Sequence, residues 1–222
     1  MILLLGALFM VLDHVGLLWG IPWLRYVGRL AFPLFAYQVV ISFRHTSSKP
    51  KYMGKLLLCA LISQPIFAMM RPGANILFLF AAAVPVLWAW DNARTSPPLP
   101  KYRPYMAFAL ISVVVCLMLM YFRVDYGAYG LLIILLILAA QGDRQTVVPG
   151  YVAITLLFWT FGVISWDQII GVLPLLLPLD QMRRIRTWKY FFYVFYPAHI
   201  ILLLAVKISV WPQIRQIAKL MR

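Results

Sequence analysis

Polar side chains divide the chain into nine apolar runs, near 1–20, 30–43, 54–70, 75–90, 105–122, 127–141, 148–165, 168–179 and 190–211. A helix needs about 20 residues to cross the hydrocarbon core of a bilayer, so most of these runs predict membrane-spanning helices. The runs at 30–43 and 168–179 are short for that task and predict tilted, re-entrant or incomplete spans. The pattern as a whole predicts an all-α polytopic transmembrane bundle of about eight to ten spans.

Composition points the same way. Of 222 residues, 64% are hydrophobic and 12% charged, and the mean hydropathy is +0.88. That balance excludes a water-soluble domain. The connections are too short for a second module, so residues 1–222 read as one integral membrane domain. No Lys or Arg precedes the first run and no small-x-small site follows it; it is expected to be a permanent helix and not a cleaved signal. Cys59 and Cys116 each fall inside an apolar run and read as packing thiols.

The 20 Lys and Arg outnumber the acids, of which there are 6, giving a net charge of +14. No nucleic-acid module accompanies this charge. It gathers between runs instead: at Arg44, His45, Lys49 and Lys51; from Arg94 to Arg103, with Pro97, Pro98 and Pro100; and at Arg183, Arg184, Arg186 and Lys189. With alternating spans these segments share one face, which the positive-inside rule makes cytoplasmic. Asp13, His14, Arg25, Arg29, Arg71, Asn75 and Tyr126 then crowd the opposite half of the bundle. The tail with Arg215, Lys219 and Arg222 falls on that same outer side, against the rule.

Asp13 and His14 stand together in the first apolar run, and an ionisable group within a span implies a partner, a wet cavity or chemistry. Helical neighbours point about 100° apart, so each needs a partner on another segment. For Asp13 the nearest are Arg25 and Arg29, and a structural ion pair is an open reading. His14 reads as a general base or as a satisfied core histidine, and a second intramembrane imidazole, His199 in Tyr196-Pro197-Ala198-His199, favours proton chemistry over zinc. Arg29 is suited to an anionic ligand, an oxyanion or a snorkelling anchor. Asn75 opens the fourth run and reads as a polar contact or an N-cap, and Gln64-Pro65 as a kink.

Asp13-His14 near the end of the first span, Gly28-Arg29-x-Ala31-Phe32-Pro33-Leu-Phe-Ala36 opening the second, Asn75-Ile-Leu-Phe opening the fourth, and Tyr193-x-x-Tyr196-x-x-His199 near the end resemble the TraX family. The resemblance runs in order across nearly the whole chain. It implies a bacterial inner-membrane protein that acetylates the amino-terminal residue of conjugative pilin, with acetyl-CoA as donor and no metal. On that reading His14 is the general base or, alternatively, a transient acetyl carrier. Asp13 and Arg29 organise the site, His199 and Tyr196 assist proton transfer or orientation, and Arg25, Asn75 and Tyr126 meet the acceptor. Arg44, Lys49, Lys51, Arg183, Arg184 and Arg186 are then expected to hold the coenzyme's phosphates, although topology alone explains basic residues at those positions. The first-span histidine and following arginine are also similar to membrane acyltransferases that modify polysaccharides. O-acylation of an envelope polysaccharide is thus the alternative activity, and a proton-coupled transporter or a pilus-assembly scaffold are the readings outside acyl transfer.

Overall fold

A computed structural model describes residues 1–95, 102–182, 188 and 190–209. Its α-helices are α1 (Ile2–Trp19), α2 (Pro22–Gly28), α3 (Ala31–His45), α4 (Lys49–Ala68), α5 (Ile76–Thr95), α6 (Tyr102–Tyr121), α7 (Gly127–Ala140), α8 (Arg144–Thr160) and α9 (Phe191–Ser209), with a 3-10 helix, Trp166–Leu176, between α8 and α9. Among the described residues, five segments are long and apolar enough to cross a membrane: Ile2–Trp19, Pro22–His45, Ile76–Thr95, Tyr102–Tyr121 and Phe191–Ser209. The chain is an all-α, multi-pass membrane protein.

Local chemistry sets the helix ends. Gly20 closes α1 in the left-handed region at φ 67°, a conformation that a Cβ makes unfavourable. Pro22 then opens α2 at a position where its missing N–H loses no bond. Ser48 accepts from the Lys51 amide to cap α4, and Asp143 accepts from the Gln145 amide at 3.0 Å to cap α8. The Thr146 hydroxyl and that amide hold the Asp143 carboxyl below the usual range.

The two short runs resolve differently from one another. The run at 30–43 does not stand alone: α2 and α3 together form the 24-residue segment Pro22–His45. The run at 168–179 is largely the 3-10 helix. Eleven residues at about 2.0 Å rise span roughly 22 Å, close to the roughly 21 Å of α7, which has 14 residues. Asp167, near its start, meets Arg29, while Arg144 at the start of α8 donates to the Leu176 carbonyl at its end. The thin helix therefore runs from one end of the bundle to the other. Gly171 makes this possible, because a Cβ there would lie 2.1 Å from the Tyr151 hydroxyl.

Helix α3 is surrounded by α1, α5, α7 and the 3-10 helix. All of Ala31 to Ala36 are accordingly buried, so the Ala-Phe-Pro-Leu-Phe-Ala block is the middle of the core. Helix α6 is peripheral, packing on α5 and α7.

Candidate functional site

Helices α1 and α9 pack together and carry a buried histidine each, 8% exposed for His14 and 5% for His199. Nδ1 of His14 lies 2.8 Å from Nε2 of His199, and the rings are nearly parallel at 12°. The other nitrogen of His199, Nδ1, sits 2.9 Å from the Phe195 carbonyl. A carbonyl only accepts, so His199 carries its proton on Nδ1. In the neutral pair its Nε2 is the acceptor, and His14 donates from Nδ1. Nε2 of His14 is then left with its lone pair and, among the described residues, no hydrogen-bond partner. Phe195 stacks on His199 with centroids 4.9 Å apart, and Tyr196 meets the ring edge-on at 5.6 Å.

The Asp13 carboxylate faces α2. Arg25 Nη1 donates to Oδ2 at 2.9 Å, while Arg29 Nη1 stands 3.9 Å from Oδ1. Oδ1 is buried and has no hydrogen-bond partner among the described residues. Gly28 permits this approach, since a Cβ at that position would lie 2.3 Å from the Asp13 Cβ. Arg29 Nε in turn donates to Asp167 Oδ2, which ties the 3-10 helix to α1 through one guanidinium.

The loops after α4 and α6 complete this end. Ala74 N donates to the Arg123 carbonyl at 3.2 Å and Asp125 N to the Ala74 carbonyl at 2.9 Å. Arg71 Nη1 pairs with Asp125 Oδ1 at 3.1 Å. Arg123 and Tyr126 adopt positive φ, 48° and 63°, a strain that the bridged loops maintain. Tyr126 is thereby stacked on Phe32 at 4.1 Å. Together Asp13, Arg25, Arg29, Arg71, Asp125 and Tyr126 line a cleft of about 680 Å³. Asp13, Asp125 and Tyr126 also line a pocket of about 40 Å³ containing His14 and Tyr196. The imidazole thus adjoins a polar cleft instead of lipid.

The structure brings together His14, His199, Tyr196, Asp13, Arg25, Arg29 and Tyr126 at or beside this pocket. Asn75 takes up its N-cap reading. It is 0% exposed; its amide nitrogen donates to the Ala60 carbonyl and Gln64 Oε1, both at 2.9 Å, and its Oδ1 accepts from the Leu77 amide at 3.0 Å. It caps α5 and clasps it to α4, with both amide protons committed. Arg44 and Lys49 likewise have structural work at helix ends, donating to the carbonyls of Leu138 at 2.8 Å and Phe43 at 2.9 Å. Lys51 is exposed at the same end, while Arg183, Arg184 and Arg186 lie outside the described residues. Sequence reasoning missed Asp125 and Asp167. The signal was available: the six acids are all Asp, and half of them, Asp13, Asp125 and Asp167, sit at this end.

The family model described as TraX protein matches residues 1–207. The chain belongs to the TraX family. Within the TraX match lie every described residue of the His14 pocket and the cleft. A curated relative, the probable fimbrial assembly protein FimC, serogroup H1, of Dichelobacter nodosus, is 28% identical over 243 aligned positions, covering 91% of this chain and 93% of the relative. No solved structure matches.

Proposed function

We propose that this TraX-family chain is a membrane-embedded acetyltransferase moving an acetyl group from acetyl-CoA to the amino-terminal amine of a pilus subunit. The observation that carries this reading is the free lone pair on His14 Nε2, oriented by His199 and set in a pocket that joins a polar cleft. The family resemblance supports the acetyl donor, and the printed name of the fimbrial relative supports a pilus subunit as acceptor.

In the reaction the amine nitrogen attacks the thioester carbonyl. The new C–N bond forms as the C–S bond breaks, and the amine proton passes to His14 Nε2 and on to the departing sulfur, which leaves as a thiol. An α-amine has a pKa of about 7.7 to 8.0, so one imidazole suffices as base. Asp13 lines both the His14 pocket and the cleft, and its carboxylate accepts an N–H of the amine there. This favours an amine acceptor over a polysaccharide hydroxyl. Arg25, Arg29 and Asp167 keep that carboxylate in place. Arg44, Lys49, Lys51 and Lys55 mark one end of the bundle, which the positive-inside rule makes cytoplasmic, and the cleft opens at the other.

The test is mass spectrometry of the mature pilus subunit from cells with and without this gene. One acetyl group on the amino terminus, lost on deletion and restored by the intact gene, is the expected result. Identical masses would exclude the subunit as acceptor.

A further inference from the structure

A second cavity, of about 210 Å³, lies toward the basic end, lined by Leu3, Gln38, Ser42, Tyr52, Trp188 and Tyr193 among others. Phe35, Phe80 and Phe192 line both this cavity and the His14 pocket. The His14 pocket shares Asp13, Asp125 and Tyr126 with the outer cleft. Three spaces therefore stand in series through the bundle, with the imidazole in the middle one. A continuous aqueous path would leak ions, and three aromatic rings interrupt it.

We infer that the cavity toward the basic end holds the pantetheine arm of the thioester donor, and that Phe35, Phe80 and Phe192 form a port admitting only a short acyl group to His14. The inference rests on the acyl-transfer reading above. Pantetheine is a narrow aliphatic chain interrupted by two amides. The cavity matches it with apolar walls and one polar strip, in which Gln38 donates to Ser42 Oγ at 3.3 Å and Ser42 pairs with Tyr52. Lys51 and Lys55 flank that end, Lys55 over the Tyr190 ring at 6.0 Å, where phosphates of the donor would lie.

The port also sets acyl length. The His14 pocket, at about 40 Å³, is roughly a fifth of the 210 Å³ cavity beside it, so it takes a short acyl group and not a long chain. Acetyl has three non-hydrogen atoms. Phe35 and Phe80 are buried, at 4% and 1% exposure, while Phe192 is only partly buried and packs on Phe35 at 5.0 Å. Phe192, the least buried of the three, is therefore the ring assigned to open the port.

The full chain in sealed vesicles, basic end outward, tests this with a charged methanethiosulfonate and with coenzyme A. Ser42→Cys is expected to react, and coenzyme A at about ten times its dissociation constant to slow that reaction roughly tenfold. Met10→Cys, in the His14 pocket, should be unreactive from this side until Phe192→Ala is added, and Phe192→Trp should leave it unreactive. In acyl transfer, Phe192→Ala should raise use of hexanoyl-CoA over acetyl-CoA by roughly 10- to 100-fold. Failure of coenzyme A to protect Ser42→Cys would overturn the donor cavity, and unchanged Met10→Cys reactivity with Phe192→Ala would overturn the port. Protection without transfer to any amine would overturn the enzymatic reading while upholding the cavity.

Discussion

The Nδ1 of His14 and the Nε2 of His199 lie 2.8 Å apart although 185 residues separate them in the chain. Because the Phe195 carbonyl fixes the proton on His199 Nδ1, the contact presents His14 as a base in a single tautomer. Replacing His199 with Phe removes the acceptor and leaves the His14 ring free to turn. Acetylation should fall by roughly 10- to 100-fold, the worth of one buried hydrogen bond. His199→Gln, which keeps an acceptor, should recover part of it. An acetylation assay against pH separates the roles: a positioning role for His199 predicts that His199→Gln lowers the rate while the profile keeps the shape set by His14.

Gly28 and Asp13 make the second relationship that the site requires. A methyl group at position 28 collides with the Asp13 Cβ, so Gly28→Ala should destabilise the α1–α2 contact by about 1–3 kcal/mol. Asp13→Asn keeps the shape but loses the charge that holds the amine. It should raise the KM for the acceptor peptide more than it lowers kcat, and steady-state kinetics read that split directly.

Arg29 links Asp13 with Asp167. Removing one partner of a buried pair costs up to about 3–5 kcal/mol, less here because Arg29 keeps Asp13 as a second partner. Asp167→Ala should therefore lower the thermal midpoint in detergent and weaken acetylation together. Asp167→Asn, which keeps an acceptor for Arg29 Nε, should lose less of both.

Asn75→Ala should act on stability alone. It removes the side-chain donors to the Ala60 carbonyl and Gln64 Oε1 and uncaps α5, a loss of about 1–3 kcal/mol. Thermal unfolding should report the loss, and the KM for the acceptor peptide should stay at the parent value.

Much of the fold was legible in the runs of apolar residues, since span length follows from bilayer thickness. The 3-10 helix was not. Its run of 168–179 shows an interrupted span, but only Gly171 against Tyr151 and the Arg29–Asp167 pair explain how so short a segment traverses the bundle. At the site, Asp13, His14, Arg25 and Arg29 were readable because ionisable groups in apolar runs need partners. Asp125 and Asp167 lie at the edges of runs, where a charge is ordinary, and only the fold brings them to Arg71 and Arg29. Asn75 shows the reverse: its motif position was visible, but the donors that consume its amide are set by packing of α4 on α5.

Acetyl transfer by purified protein in proteoliposomes, with acetyl-CoA and a peptide carrying the pilus subunit's amino terminus, tests the central claim most directly. The parent protein should add the mass of one acetyl group to the peptide. His14→Ala should reduce the rate by about 10²- to 10⁴-fold, the usual contribution of a general base, with a cooperative thermal unfolding transition showing that the variant is folded. Undiminished acetylation by a folded His14→Ala protein would contradict the account.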